Sequence, residues 1–169
     1  MPFAIVTLLL SVGLLLIGHG IQLSLLPLHA SSLGWHESFI SVTAASYFIG
    51  FVLGSLFTAR LLVLAGYIRV FLTLAALLAV VILCLSLIQN PYAWVLLRLV
   101  TGCCIAGVYL CTESWVNAVS NGVNRGRFFA VYSLVTLLGI GIGQMLLGVF
   151  QLNVLFQLCA IFMLLALIP

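Results

Sequence analysis

Glu37, Arg60, Arg69, Arg98, Glu113, Arg125 and Arg127 are the only charged side chains between Met1 and Pro169, and the runs between them are apolar and long. A helix needs about 20 mainly apolar residues to cross a bilayer. The charge spacing leaves room for several such crossings. A soluble domain is excluded on the same ground, because 66% of the residues are apolar and 4% charged, too few polar groups to cover a surface in water. The fold class expected is all-α and integral to a membrane.

Six spans are predicted in one bundle over residues 1–169: about 3–26, 37–64, 67–88, 92–119, 128–150 and 153–169. The first is read as a span and not as a secretory leader, because no Lys or Arg precedes it and its apolar run is too long. Pro27 is expected to end it, since a proline lacks the N–H and clashes with the preceding turn. A polar loop from His29 to His36 follows. Gly66 separates spans two and three, and Gln89-Asn90-Pro91 makes a turn with the proline where a new helix begins. Ser120 to Asn124 reads as a turn before span five, and Asn153 opens a sixth, short run. The chain is expected to be one half of a longer bundle.

Arginine positions give an orientation. Arg60 and Arg69 flank the second connection, Arg125 and Arg127 the fourth, and the other three connections carry none. The positive-inside rule makes that side cytoplasmic, with both termini. No basic face of the kind that binds phosphates exists, so nucleic acid is not an expected partner.

Enzyme chemistry finds no purchase. His36-Glu37 lacks a second histidine, no Gly-x-Ser-x-Gly occurs, and Cys84, Cys103, Cys104, Cys111 and Cys159 show no metal spacing. The cysteines read as small packing residues, and neither cofactor nor metal is expected.

The polar residues inside the spans are few. His19 and Gln22, three apart, share one helix face in the outer half of span one. Arg98 lies seven residues into span four, about 10 Å along the axis, so the three can meet at one depth. Interhelical hydrogen bonds of about 0.6 kcal/mol each would explain His19 and Gln22. An arginine at that depth requires a partner or a water-filled cavity and is a functional candidate. Glu113 is about 22 Å further along, too far to pair with Arg98. It falls within reach of Arg60, Arg125 or Arg127, either as a structural pair or as a proton carrier. Gly50-x-x-x-Gly54, Gly102, Gly107 and Gly139-x-x-x-Gly143 are small-residue positions where helices can approach closely.

Six spans with short connections, Arg60 to Arg69 between the second and third, and Arg98-x-x-x-Gly102 in the fourth resemble the N-terminal half of a major facilitator superfamily transporter. Thr112-Glu113-Ser114-Trp115-Val116-Asn117, Asn124-Arg125-Gly126-Arg127 and Tyr132 are similar to its YcaD-type branch. The resemblance implies a three-plus-three inverted repeat and a role for Arg98 and Gly102 in substrate or proton handling. It departs at two places. The loop signature after span two keeps Gly54 but has Thr58 where an acid is usual and displaces the basic residue to Arg60. The span-five antiporter motif lacks its Gly-Pro pair, and Gly143 is followed by Gln144, itself a cavity candidate.

The function expected is therefore alternating-access transport of a small solute, coupled to protons. A missing C-terminal half or a second copy would complete it. Standing alone, the chain would expose His19, Gln22, Arg98 and Gln144 on a polar wall. The alternative is a membrane assembly or regulatory subunit without transport, and a channel is disfavoured because no span carries a ring-forming charged stripe.

Overall fold

Local chemistry sets the boundaries at Gly66, Asn90 and His36. Gly66 adopts φ +80°, a conformation that costs glycine nothing, and its N–H closes the preceding helix on the Leu62 carbonyl at 3.0 Å. Asn90 caps the helix that follows it. Its Oδ1 accepts from the N–H groups of Tyr92 (2.9 Å) and Ala93 (3.4 Å), with Pro91 at the first helical position, where no N–H is needed. His36 is the third cap: its Nδ1 accepts from the Ser38 N–H at 3.3 Å, with Glu37 favourably placed in the first turn.

The computed structural model describes residues 3–120 and 124–168. Among these the chain forms six helices: α1 (Phe3–Ser32), α2 (Glu37–Ala65), α3 (Tyr67–Leu87), α4 (Pro91–Val119), α5 (Arg125–Leu146) and α6 (Leu152–Leu165). The first five are long and apolar enough to cross a membrane, and α6, with 14 residues, is shorter. Residues 121–123 of the expected turn, and Pro169, lie outside the described residues.

Three expectations need correction. Helix α1 does not stop at Pro27 but runs through it to Ser32. One proline forfeits a single backbone bond, whereas unwinding the last turn would free several polar groups where water is scarce. That turn is also anchored, with Ala30 buried and the His29 ring 5.9 Å from Trp94 and 5.0 Å from Phe156. The polar loop accordingly shrinks: His29 belongs to α1, and the helix closes through Trp35 N–H to the Ala30 carbonyl (3.2 Å) with Gly34 at φ +72°. Finally, α5 starts at Arg125, so Arg125 and Arg127 occupy its first turn. Beyond Leu146 only turns continue to Phe150.

Packing pairs α1 with α5 and α6, and α4 with α2 and α3, while α3 and α6 touch each other. The core between them is aliphatic, with Leu15, Leu16, Leu25, Leu78, Ile82, Ile105 and Leu155 fully buried. Two buried thiols donate to carbonyls of neighbouring helices, Cys111 to Tyr67 (3.0 Å) and Cys159 to Gly18 (2.9 Å), which gives these cysteines a packing role.

One end of the bundle is closed by aromatics. Trp94 donates its indole N–H to the Ile88 carbonyl (2.6 Å), Trp35 meets it edge-on at 4.9 Å, and His29 stacks on it. Both His29 ring nitrogens are buried without a hydrogen-bond partner. An orphaned buried polar group costs about 1–3 kcal/mol. His29→Phe keeps the ring contacts and removes the orphans, so its thermal unfolding midpoint should rise. A midpoint below the wild type would mean that a nitrogen of His29 is satisfied.

Candidate functional site

The site begins with a close crossing of α2 and α4. A Cβ placed on Gly50, Gly54 or Gly102 would collide with backbone atoms of Leu99, Cys103 or Tyr47, respectively, so these helices touch main chain to main chain. Tyr47 and Gly50 lie three apart on the α2 contact face, and Arg98 and Gly102 lie four apart on α4. The crossing therefore lays Tyr47 against Arg98, whose guanidinium carbon sits 4.6 Å from the ring centroid.

Tyr47 joins Arg98 to α1. Its hydroxyl lies 3.4 Å from His19 Nε2, to which it donates when the imidazole proton is on Nδ1, and the two rings stack at 6.1 Å and 23°. Gln22 is next to His19 on the same face of α1. Thus His19 and Arg98 flank Tyr47, with Gln22 beside His19, and Tyr47 was not among the residues expected at the site. Its one legible signal was its place one turn before Gly50 on the same face.

The cluster is not a polar wall. His19, Gln22, Tyr47 and Arg98 are 3%, 1%, 6% and 6% exposed, which corrects the expectation that the isolated unit would display them. The glycine crossing draws α2 so close that Tyr47 roofs the arginine. Inside the cluster Arg98 NH1 remains without a hydrogen-bond partner. Among the described residues no carboxylate forms an ion pair with Arg98, so the face of Tyr47 partly compensates a desolvated cation. Such an arrangement can receive an oxyanion or hand a proton between donors.

Gln144 stands apart. It is exposed on α5 beside Leu137, Leu138, Gly141, Ile142 and Met145, around a shallow depression of about 500 Å³. Gly139 and Gly143 face the other way, onto the backbone of α1 near Gly13, Ile17 and Ile21.

Toward the opposite end, Glu113 is exposed on α4, interacting electrostatically with Tyr109 one turn earlier and with Tyr132 of α5. Among the described residues it pairs with none of Arg60, Arg125 or Arg127. Arg125 instead lies 5.8 Å over the Phe129 ring, and Arg60, Arg69 and Arg127 are exposed. Thr58, at the position where an acid was expected, is buried beneath Gly107, with its Oγ1 2.8 Å from where a Cβ would sit. Aromatic rings span the interval between the two charged regions. Tyr47 to Phe51 and Phe51 to Tyr109 are each 6.3 Å, and Phe129 to Tyr132 is 6.4 Å.

The Major Facilitator Superfamily model matches residues 8–169. An uncharacterized MFS-type transporter of Enterobacter sp. (strain 638) is 30% identical over 146 residues, covering 83% of this chain and 37% of that protein. The uncharacterized MFS-type transporter YcaD of Salmonella typhimurium is 28% identical over 142 residues, with the same coverage. The chain thus spans little more than a third of the curated relatives it matches.

Proposed function

Because this chain belongs to the major facilitator superfamily, we propose that it forms one half of a secondary transporter moving a small solute, coupled to protons, by alternating access. The observation that carries this reading is the buried Arg98, roofed by Tyr47 and lacking a carboxylate. A cation kept in a dry interior without a counter-charge is costly to stability, so a functional use is the better account of it.

Two features support a three-plus-three inverted repeat in which α6 completes the sixth crossing. Exchanging α1 with α4, α2 with α5 and α3 with α6 leaves the principal helix pairings unchanged. Gly13, Gly18, Gly50 and Gly54 also recur at one constant interval as Gly102, Gly107, Gly139 and Gly143. The arginines at the α2–α3 and α4–α5 ends support a cytoplasmic placement of that side, and of both termini, in a bacterial plasma membrane. A second six-helix half, or a second copy, completes the path. Exposed apolar side chains on α2 and α5, among them Ile49, Val52, Leu56, Leu137 and Leu138, are consistent with a covering partner. In this reading the Arg98 cluster handles the substrate or proton, and Gly54, Arg60, Arg69, Glu113, Arg125 and Arg127 form the inner gate.

The test is solute flux into proteoliposomes holding the full-length protein under an imposed proton gradient. Gradient-driven flux is expected in the wild type. Glu113→Gln should keep the solute moving while losing the response to the gradient. Retained coupling in that variant assigns Glu113 a structural role, and absence of wild-type flux, with a second membrane protein co-purifying, selects the non-transporting assembly subunit.

A further inference from the structure

We propose that the end of the bundle where α1 begins and α6 ends holds an anionic phospholipid, with one acyl chain between the helices and the phosphate at Arg69. A cavity of about 330 Å³ opens there between α1, α3, α4 and α6. Leu8, Phe71, Leu72, Trp115 and Leu167 give it an apolar lining, and among the described residues no charged side chain lines it. A depression of about 280 Å³ adjoins it, sharing Ile68 and Trp115, with Arg69 at its rim beside Tyr67.

The position favours a lipid over a water-soluble ligand. The mouth lies along α3, whose hydropathy of 2.9 is the highest of the five spans, with Ile68 and Leu72 turned outward. An acyl chain can therefore enter sideways from the bilayer without crossing water. Trp115 and Tyr67 carry the amphipathic rings that settle at headgroup level. Arg69 supplies the charge: it is exposed and, among the described residues, is the single charged one lining either hollow and forms no ion pair. Basic pockets between membrane helices recognise anionic headgroups through this combination of one cation and an apolar slot. The Arg98 cluster is not involved, so this site stands whether or not the transport reading does.

Native mass spectrometry of the full-length protein in neutral detergent tests the proposal, with phosphatidylglycerol and phosphatidylcholine of identical acyl chains as probes. Phosphatidylglycerol is expected to bind about fivefold more tightly, the size of one basic-residue contact with an anionic lipid. Arg69→Gln should abolish the difference while leaving phosphatidylcholine binding intact, and Leu72→Trp, which fills the cavity, should weaken both. Glycerophosphate, the headgroup without tails, should not bind. Equal binding of the two lipids to the wild type, a preference that survives Arg69→Gln, or lipid binding unchanged by Leu72→Trp overturns the proposal. Glycerophosphate binding as strong as the lipid's would replace it with a soluble-anion site.

Discussion

Arg98→Ala is expected to reduce solute flux to background while the protein still inserts and folds, and Arg98→Met should do so with an unchanged or raised unfolding midpoint. The two halves of this result have one cause. A buried guanidinium with an unsatisfied NH1 and no carboxylate partner stabilises little, and replacing such a charge by an apolar group of similar volume is commonly neutral or stabilising. If the arginine is kept for function, stability and activity must part company at this position. Arg98→Lys should not restore flux, because an ammonium lacks the planar fork that lies over Tyr47 and still points donors inward. Flux at the wild-type level in Arg98→Ala would remove the cluster from the transport path. Lost flux together with a collapsed midpoint would make Arg98 a structural residue.

The second large effect concerns Gly102. A Cβ there would fall on the Tyr47 carbonyl oxygen and 2.7 Å from the Phe51 nitrogen, both backbone atoms that cannot rotate aside. Gly102→Val must push α2 away from α4, and overpacking of this kind costs about 1–3 kcal/mol and occasionally more. Because Tyr47 rides on α2, the same displacement lifts its ring from Arg98, so flux should fall together with the unfolding midpoint. Gly148→Ala is the matched control. It is exposed in the turn after α5, where an added Cβ meets only the Met145 carbonyl oxygen at an ordinary 3.7 Å, and both quantities should match the wild type. Size-exclusion profiles after heating give the midpoints, and equal values for the two variants would contradict the backbone contact.

Most helix boundaries were legible because local chemistry decides them. Gly66 and Asn90-Pro91 act on their own neighbours, and nothing distant competes with them. Pro27 was misread for the opposite reason: its local signal was outweighed by His29 wedging between Trp94 and Phe156, contacts made far along the chain. At the site, the depth argument placed His19 and Arg98 at one level, where both now lie against Tyr47. It could not find Tyr47, since a tyrosine in an apolar span carries no cost that marks it out. Nor could depth tell which way Gln144 faces, because one residue of rotation separates it from the buried Gly143.

The glycine crossings also fix the mechanics of the bundle. Where α2 lies on α4, and α5 on α1, main chain bears on main chain, so each pair behaves as one stiff beam with no side-chain cushion to compress. The two beams meet each other only sparsely, α1 touching α2 and α4 at a few points. A second connection runs through α6 on α1 and α3 on α4, which touch each other, so the sparse seam is one of two joints between the beams. His19 lies on one edge of that seam and Tyr47 with Arg98 on the other, so the 3.4 Å contact between the Tyr47 hydroxyl and His19 Nε2 ties one beam to the other.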